Sequence, residues 1–217
     1  ELKFVEFPNP NDFDFIGFGF PVHGFNCPKV MNDFCNYLQS LSEKKPAFIL
    51  NTSGEGLFVN DYASQKIIPH LIKKNYDILS ERRYVMPYNM IFRNSDEMVK
   101  GEYIYAKALI DLHCRELIQE KREKVRVCPL KYWFVPVVRI LWIYAKVQGP
   151  SMYADKEKCI KCNKCVQNCP LGNIRYDSEK GRYKFGTNCV LCVCCSFGCP
   201  SKAVSIGILT GWRVNGR

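Results

Sequence analysis

The sequence predicts a two-part chain: an α/β unit built on a parallel sheet, followed by a small unit made of two similar halves. Three observations predict it. Short apolar runs alternate with helix-periodic segments through residues 1–125. A cysteine pattern occurs twice, in register, in the last quarter of the chain. Between the two stands Gly149-Pro150, a pair expected to break a helix and mark a boundary.

The elements follow in chain order. Residues 2–7 (LKFVEF) read as a strand, and 14–20 (DFIGFGF) as an apolar strand bounded by Pro21. Pro28 is placed to open a helix over Lys29 to Leu41, where Val30, Met31, Phe34, Tyr37, Leu38 and Leu41 recur at helical spacing. A second strand, 46–52 (PAFILNT), ends in Ser53-Gly54. Residues 61–76 read as a helix, 83–88 as a weaker third strand, and 96–122 as a long charged helix carrying Ile104, Leu109, Leu112 and Ile118. Strands alternating with helices predict a parallel sheet covered on both faces.

Two loops, 21–24 and 52–56, leave the carboxyl ends of adjacent predicted strands, where open α/β sheets bind ligands. Glycine and serine there let backbone N–H groups approach a flat polar ring. A plain strand-to-helix turn is the alternative for each. His70 and His113 fall on predicted helices and face solvent or core. Neither they nor His23 form a catalytic constellation legible in the sequence.

Residues 121–131 (KREKVRVCPLK) are basic and 132–147 (YWFVPVVRILWIYAKV) strongly apolar. The apolar stretch is short of the roughly 20 residues a membrane span needs, and it contains Pro136 and Arg139. Val135, Val138, Leu141, Trp142 and Ala145 recur at helical spacing, which predicts a helix buried between domains. Peripheral contact with a membrane surface through 132–147 is the rival reading.

Cys159, Cys162, Cys165 and Cys169 are followed by Pro170; Cys189, Cys192, Cys195 and Cys199 are followed by Pro200. C-x2-C-x2-C-x3-C-P suits iron–sulfur ligation: three thiolates wrap one cluster and the fourth reaches the other. A disulfide framework belongs to short secreted chains and fits poorly with 217 residues and an odd 13 cysteines. Zinc prefers two C-x2-C pairs separated by a longer loop. The repeat runs past the cysteines, aligning 155–176 (DKEKCIKCNKCVQNCPLGNIRY) with 185–206 (FGTNCVLCVCCSFGCPSKAVSI). Ile160 matches Val190, and Ile174 matches Val204. Using Cys194 in place of Cys195 would break that register, so Cys194 reads as a non-ligand, or as a spare thiol that swaps in after oxidative damage. Cys27, Cys35, Cys114 and Cys128 are isolated and read as small buried hydrophobes.

The net charge of +10 is unevenly spread. Residues 1–60 carry 4 basic and 7 acidic side chains, 61–120 carry 9 of each, and 121–217 carry 18 and 5. No nucleic-acid motif accompanies the basic part, so no nucleic-acid partner is expected. Anionic clusters offset some of the excess, and the remainder suits an acidic redox protein partner. Thiolate ligands require a reducing compartment, which predicts a cytoplasmic protein. The sequence opens on Glu1, so a chain incomplete at its start is expected.

Residues 153–207 resemble a bacterial-type ferredoxin with two 4Fe–4S clusters. The resemblance implies a small α+β ferredoxin-like domain over 151–210. It places Cys159, Cys162, Cys165 and Cys199 on one cluster and Cys189, Cys192, Cys195 and Cys169 on the other. In the first half, a strand ending in Pro-x-x-Gly, a Pro-Lys helix start and a strand ending in Thr-Ser-Gly resemble the second half of a flavodoxin. Asn26 to Leu41, Met86-Pro87-Tyr88-Asn89 and Gly211-Trp212-Arg213-Val214-Asn215-Gly216 are similar to a flavodoxin–ferredoxin fusion family. That family implies a flavodoxin-like sheet over 1–125, incomplete at its start, a connecting helix over 126–150 and a tail over 211–217. It implies an FMN ring flanked by Pro21, Val22, His23 and Gly24 on one side and Thr52, Ser53, Gly54 and Glu55 on the other. For His23 space-filling, and for Glu55 a solvated loop carboxylate, are the alternative readings. One feature departs from the family: no Ser/Thr/Gly-rich loop precedes residue 14 to hold the FMN phosphate. FMN is therefore expected in a complete protein and only weakly, or not at all, in these residues. The implied function is electron transfer, one electron at a time through two clusters, by a carrier rather than a stand-alone enzyme. The alternatives are a flavin-dependent reductase fed by its own clusters, and a docking or sensor subunit of a redox complex.

Overall fold

The structure, a computed structural model, describes residues 8–54, 56–87, 94–125, 143 and 146–207. Described residues from 8 to 125 form one compact unit and those from 143 to 207 another.

The first unit is built on a parallel sheet of β1 (Ile16–Pro21), β2 (Lys45–Ser53) and β3 (Tyr76–Val85), in that order. On the central strand Ala47, Ile49, Asn51 and Ser53 point to one buried face. There the core closes over Ala63, Ile67 and Leu71. The alternate residue Phe48 meets His113 edge-on from the other side, ring centroids 6.3 Å apart. A Cβ at Gly17 would lie 2.6 Å from the Phe48 ring, so glycine lets that ring settle over β1.

Several boundaries differ from expectation for identifiable reasons. The first helix, α1 (Lys29–Tyr37), stops before Leu41. Its last carbonyls are taken by the Lys74 ammonium, which donates to Cys35 O at 2.9 Å and to Asn36 O and Leu38 O at 2.5 Å. The helix expected over 61–76 is a 3-10 segment (Phe58–Lys66) followed by α2 (Ile68–Lys73), and Tyr76 already begins β3. β3 starts seven residues before the predicted third strand, and its first half was hidden because Leu79 is an extra residue. Ala47 pairs with Ile78 but Phe48 with Ser80, a bulge that breaks the alternation a sequence would show. Arg82 and Arg83 disguised it further, yet both are paired: Arg82 with Glu116 and Glu123, Arg83 with Asp61 at 2.6 Å. The long helix α3 (Asp96–Ile118) starts at a Ser95 side-chain cap on Met98 N and ends before the predicted 122. The chain then runs beside β3, with Glu123 N donating to Leu79 O at 2.8 Å.

In the second unit residues 146–151 are helical, so Gly149-Pro150 does not break the helix as expected. Gly149 serves close packing instead: a Cβ there would lie 2.6 Å from both Gly186 O and Cys189 Cβ. Next come β4 (Tyr153–Ala154), α4 (Lys164–Gln167), β5 (Ile174–Asp177), β6 (Arg182–Phe185), α5 (Cys194–Phe197) and β7 (Val204–Ser205). β4 pairs antiparallel with β7, and β5 with β6, so the outer strands of the repeat pair with each other and the inner strands likewise. The strand expected at 2–7, residues 126–142 of the connecting stretch and the tail 211–217 lie outside the described residues. Among the described residues no helix is long and apolar enough to cross a membrane.

Candidate metal centre

The cysteine loops are bent by residues that seldom bend that way. Lys161 (φ 55°) and Asn163 (φ 59°) in the first motif are left-handed, and so are Leu191 (φ 53°) and Val193 (φ 52°) at the same positions in the second. For a β-branched residue this is an outlier; each such residue costs about 1–3 kcal/mol and needs a surrounding structure to hold it. Left-handed turns of this kind build concave nests of backbone N–H groups, the form used around many iron–sulfur centres. The match extends to Gly172 (φ 58°) and Lys202 (φ 52°), each three residues after the fourth cysteine of its motif.

Backbone donors point at the sulfurs. Asn173 N donates to Cys169 Sγ and Ala203 N to Cys199 Sγ, both at 3.2 Å and at equivalent places in the repeat. Leu191 N donates to Cys189 Sγ at 3.4 Å. Such bonds stabilise a charged sulfur and tune a cluster held by it.

The fourth cysteine of each motif stands with the other motif. Cys169, Cys189, Cys192 and Cys195 line one cavity, together with Met152, Ile174 and Phe185. Burial, then the neighbouring Cys192, Cys189 and Cys169 sulfurs, push the Cys195 thiol up to about 12. Burial likewise raises Cys192 to about 12. In the other group burial raises Cys165, and the Cys159 and Cys199 sulfurs add to the rise. Burial acts upward on Cys199 too, but bonds from Ala203, Ser201 and Val204 outweigh it and lower its pKa. Four sulfurs so close resist ionising together; bound iron is what holds a full set as thiolates. The cysteines present therefore fit iron–sulfur ligation, edged by apolar side chains and inward N–H donors.

Among the described residues no three His, Cys, Asp or Glu side chains are placed to hold a single metal ion. A zinc tetrahedron with Zn–S of 2.3 Å needs sulfurs about 3.8 Å apart. The twelve described cysteines are free. Cys194 is exposed and is not among the residues lining the cavity. Cys27 and Cys35 are buried as expected, while Cys114 is exposed on α3, against expectation.

At the sheet, the predicted loops come together. Pro21 pairs with Thr52, and Val22 N donates to Thr52 O at 2.7 Å. His23 and Asn26 bridge each other around Gly24 (φ 51°) and Phe25 (φ 63°), the double left-handed turn of type I′. Burial lowers the His23 pKa. The Ser53 hydroxyl accepts from Arg83 Nη1 at 3.1 Å. Gly54 is half-buried, and Glu55 lies outside the described residues.

Three site residues were not singled out from the sequence. Asn173 braces the second motif, donating from Nδ2 to Gly186 O at 3.0 Å and accepting Asn188 N at 2.9 Å. Tyr183 Oη donates to Asn163 Oδ1 at 2.7 Å and steadies the first loop. Met152 Sδ lies 4.0 Å from Cys189 Sγ. Asn173 faces Ala203 in the repeat, so the repeat gives no signal for it.

Comparison with known proteins follows the same part of the chain. The family model "4Fe-4S binding domain" matches residues 152–175. Pyruvate synthase subunit PorD of Methanocaldococcus jannaschii is 40% identical over 52 residues, covering 24% of this chain and 59% of that subunit. The archaeal-type glutamate synthase [NADPH] of Thermotoga maritima is 40% identical over 53 residues, covering 24% of this chain and 10% of the relative. No solved structure matches significantly. The second unit thus contains a 4Fe–4S ferredoxin-type domain, and iron–sulfur electron transfer is its chemistry.

Proposed function

We propose that the chain carries two 4Fe–4S clusters and passes single electrons between redox proteins. Cys159, Cys162, Cys165 and Cys199 hold one cluster; Cys189, Cys192, Cys195 and Cys169 hold the other. Supporting this above all is Cys169, which lines one cavity with the three cysteines of the opposite motif. Bound clusters supply one-electron oxidation and reduction without bond changes. The protein supplies thiolates, N–H donors to the sulfurs and apolar walls that keep water away. Its partner is a redox protein with an acidic surface, as the basic C-terminal part favours. Anaerobic purification with iron and sulfide counts tests the reading: about eight irons per chain are expected, and about four would overturn the crossed arrangement.

A second element of the proposal is a flavodoxin-like first unit, coupled to FMN in the complete protein. It is favoured by the meeting of Pro21–Gly24 with Thr52–Gly54 at the same ends of adjacent parallel strands. A flavin there couples one- and two-electron chemistry. Flavin titration followed by fluorescence quenching tests it, and no quenching by the full-length protein would count against it.

A further inference from the structure

The two cysteine motifs share a backbone but not a surface. In the first, Lys156, Lys158, Lys161, Lys164 and Cys162 are exposed, and Ile160 among them is 65% exposed. In the second, Val190, Leu191 and Cys192 are half-buried, Val193 is buried, and no charged residue occurs from Gly186 to Ser201. Of the four lysines only Lys158 forms an ion pair among the described residues, with Asp155 at 3.5 Å. The first loop is also held rigid, by the left-handed Lys161 and Asn163 and by the Tyr183–Asn163 bond. Ile160 is thus fixed outward beside an exposed cysteine, in a segment (155–164) whose four lysines outnumber its two carboxylates, Asp155 and Glu157. A rigid apolar contact inside a polar rim is the anatomy of a protein interface, and preorganisation lowers the entropy lost on docking.

We propose that this face is the docking surface through which electrons enter or leave the chain, and that its partner is a protein presenting carboxylates around an apolar contact for Ile160. The inference rests on the two-cluster reading above. One electron is lost by one protein and gained by the other; no bond forms or breaks, and no proton moves in this chain. Transfer weakens steeply with distance, so the exposed Cys162 side suits exchange with a partner and the enclosed second site suits relay within the chain.

The test uses the full chain with two protein probes, an acidic flavodoxin and a basic cytochrome c. Electron transfer from the reduced chain to the flavodoxin is expected to slow as salt rises. Lys161→Glu with Lys164→Glu is expected to slow it roughly tenfold at low salt, while Lys180→Glu with Arg182→Glu, an equal charge change on the β5–β6 hairpin, leaves it near wild type. Carbodiimide cross-linking of the unaltered chain to the flavodoxin should map to Lys156, Lys158, Lys161 or Lys164. Rates indifferent to the loop exchange with iron content intact, equal loss in the hairpin variant, transfer to cytochrome c that salt slows as much as transfer to the flavodoxin, or cross-links confined to other lysines would each overturn the proposal. A wild-type chain without its iron would instead overturn the cluster reading beneath it.

Discussion

The two units of this molecule are held together by different means. The sheet unit closes on side chains that need no cofactor: Ala47, Ile49, Ile67 and Leu71 are wholly buried, with Phe18 and Tyr76 stacked edge-on at 5.5 Å. The cysteine unit has a thin core of Met152, Ile174, Tyr183, Phe185 and Val204, and sulfurs fill the rest. Units below about 70–80 residues seldom gain more than a few kcal/mol from such a core and need staples. Its strained loops and mutually repelling cysteines make sense only around the groups they enclose. The sheet unit therefore closes its core with side chains alone, whereas the cysteine unit is expected to depend on the iron–sulfur group it binds.

The sharpest way to break this contrast is to remove the iron. Because metal binding is folding energy in small metal domains, anaerobic chelation should abolish amide-exchange protection in β4 to β7 while β1 to β3 keep theirs. Protection surviving in both units would show that the cysteine unit is self-sufficient. Next in size is loss of one ligand. Cys169→Ser should cut the iron content to about half and spare the first group, and Cys194→Ser should leave it unchanged; a reversed pattern in iron assays would reassign the ligand set.

The same contrast governs what the sequence reveals. Ligand spacing is local and chemical, so the 4Fe–4S ferredoxin-type domain was legible in the cysteine pattern that begins at Cys159, while the eight-ligand set without Cys194 is the proposal that the iron assays test. The repeat also implied matched halves, and Lys161 and Leu191 adopt the same rare conformation. The sheet was legible where a short apolar run ends in turn residues, as in β2. It was obscured in β3, where Leu79 inserts a bulge and Arg82 and Arg83 find partners that only tertiary structure brings close. The early stop of α1 depends on Lys74, far along the chain. Asn173, Tyr183 and Met152 escaped notice for a similar reason: their roles come from what they meet in space.

The core of the sheet unit offers a more moderate test. Leu71→Ala removes a wholly buried side chain and should lower the stability of that unit by about 2–5 kcal/mol. Iron content and visible absorption should not change. A parallel loss of iron in Leu71→Ala would mean that the two units fold as one.

The smallest expected effect concerns pH and lies wholly in the sheet unit. His113 is buried between β3 and α3, with Ser80 Oγ 2.7 Å from Nε2 and Tyr84 Oη 2.7 Å from Nδ1. A neutral imidazole serves both hydroxyls, accepting from one and donating to the other. Burial lowers the His113 pKa, and the Arg82 charge lowers it further against the weaker pull of Glu123 and Glu116. A histidine with a lowered folded pKa binds fewer protons folded than unfolded, so its contribution is complete above about 6.5, the unfolded value, and is lost as pH falls towards the folded one. The sheet unit should therefore unfold at lower denaturant as pH drops below that value. His113→Gln keeps a donor and an acceptor but cannot titrate, so the pH dependence should flatten. His23, half-buried and also lowered by desolvation, supplies the contrast: a slope that persists in His113→Gln and vanishes in His23→Gln would move the proton from the helix–strand contact to the turn after β1.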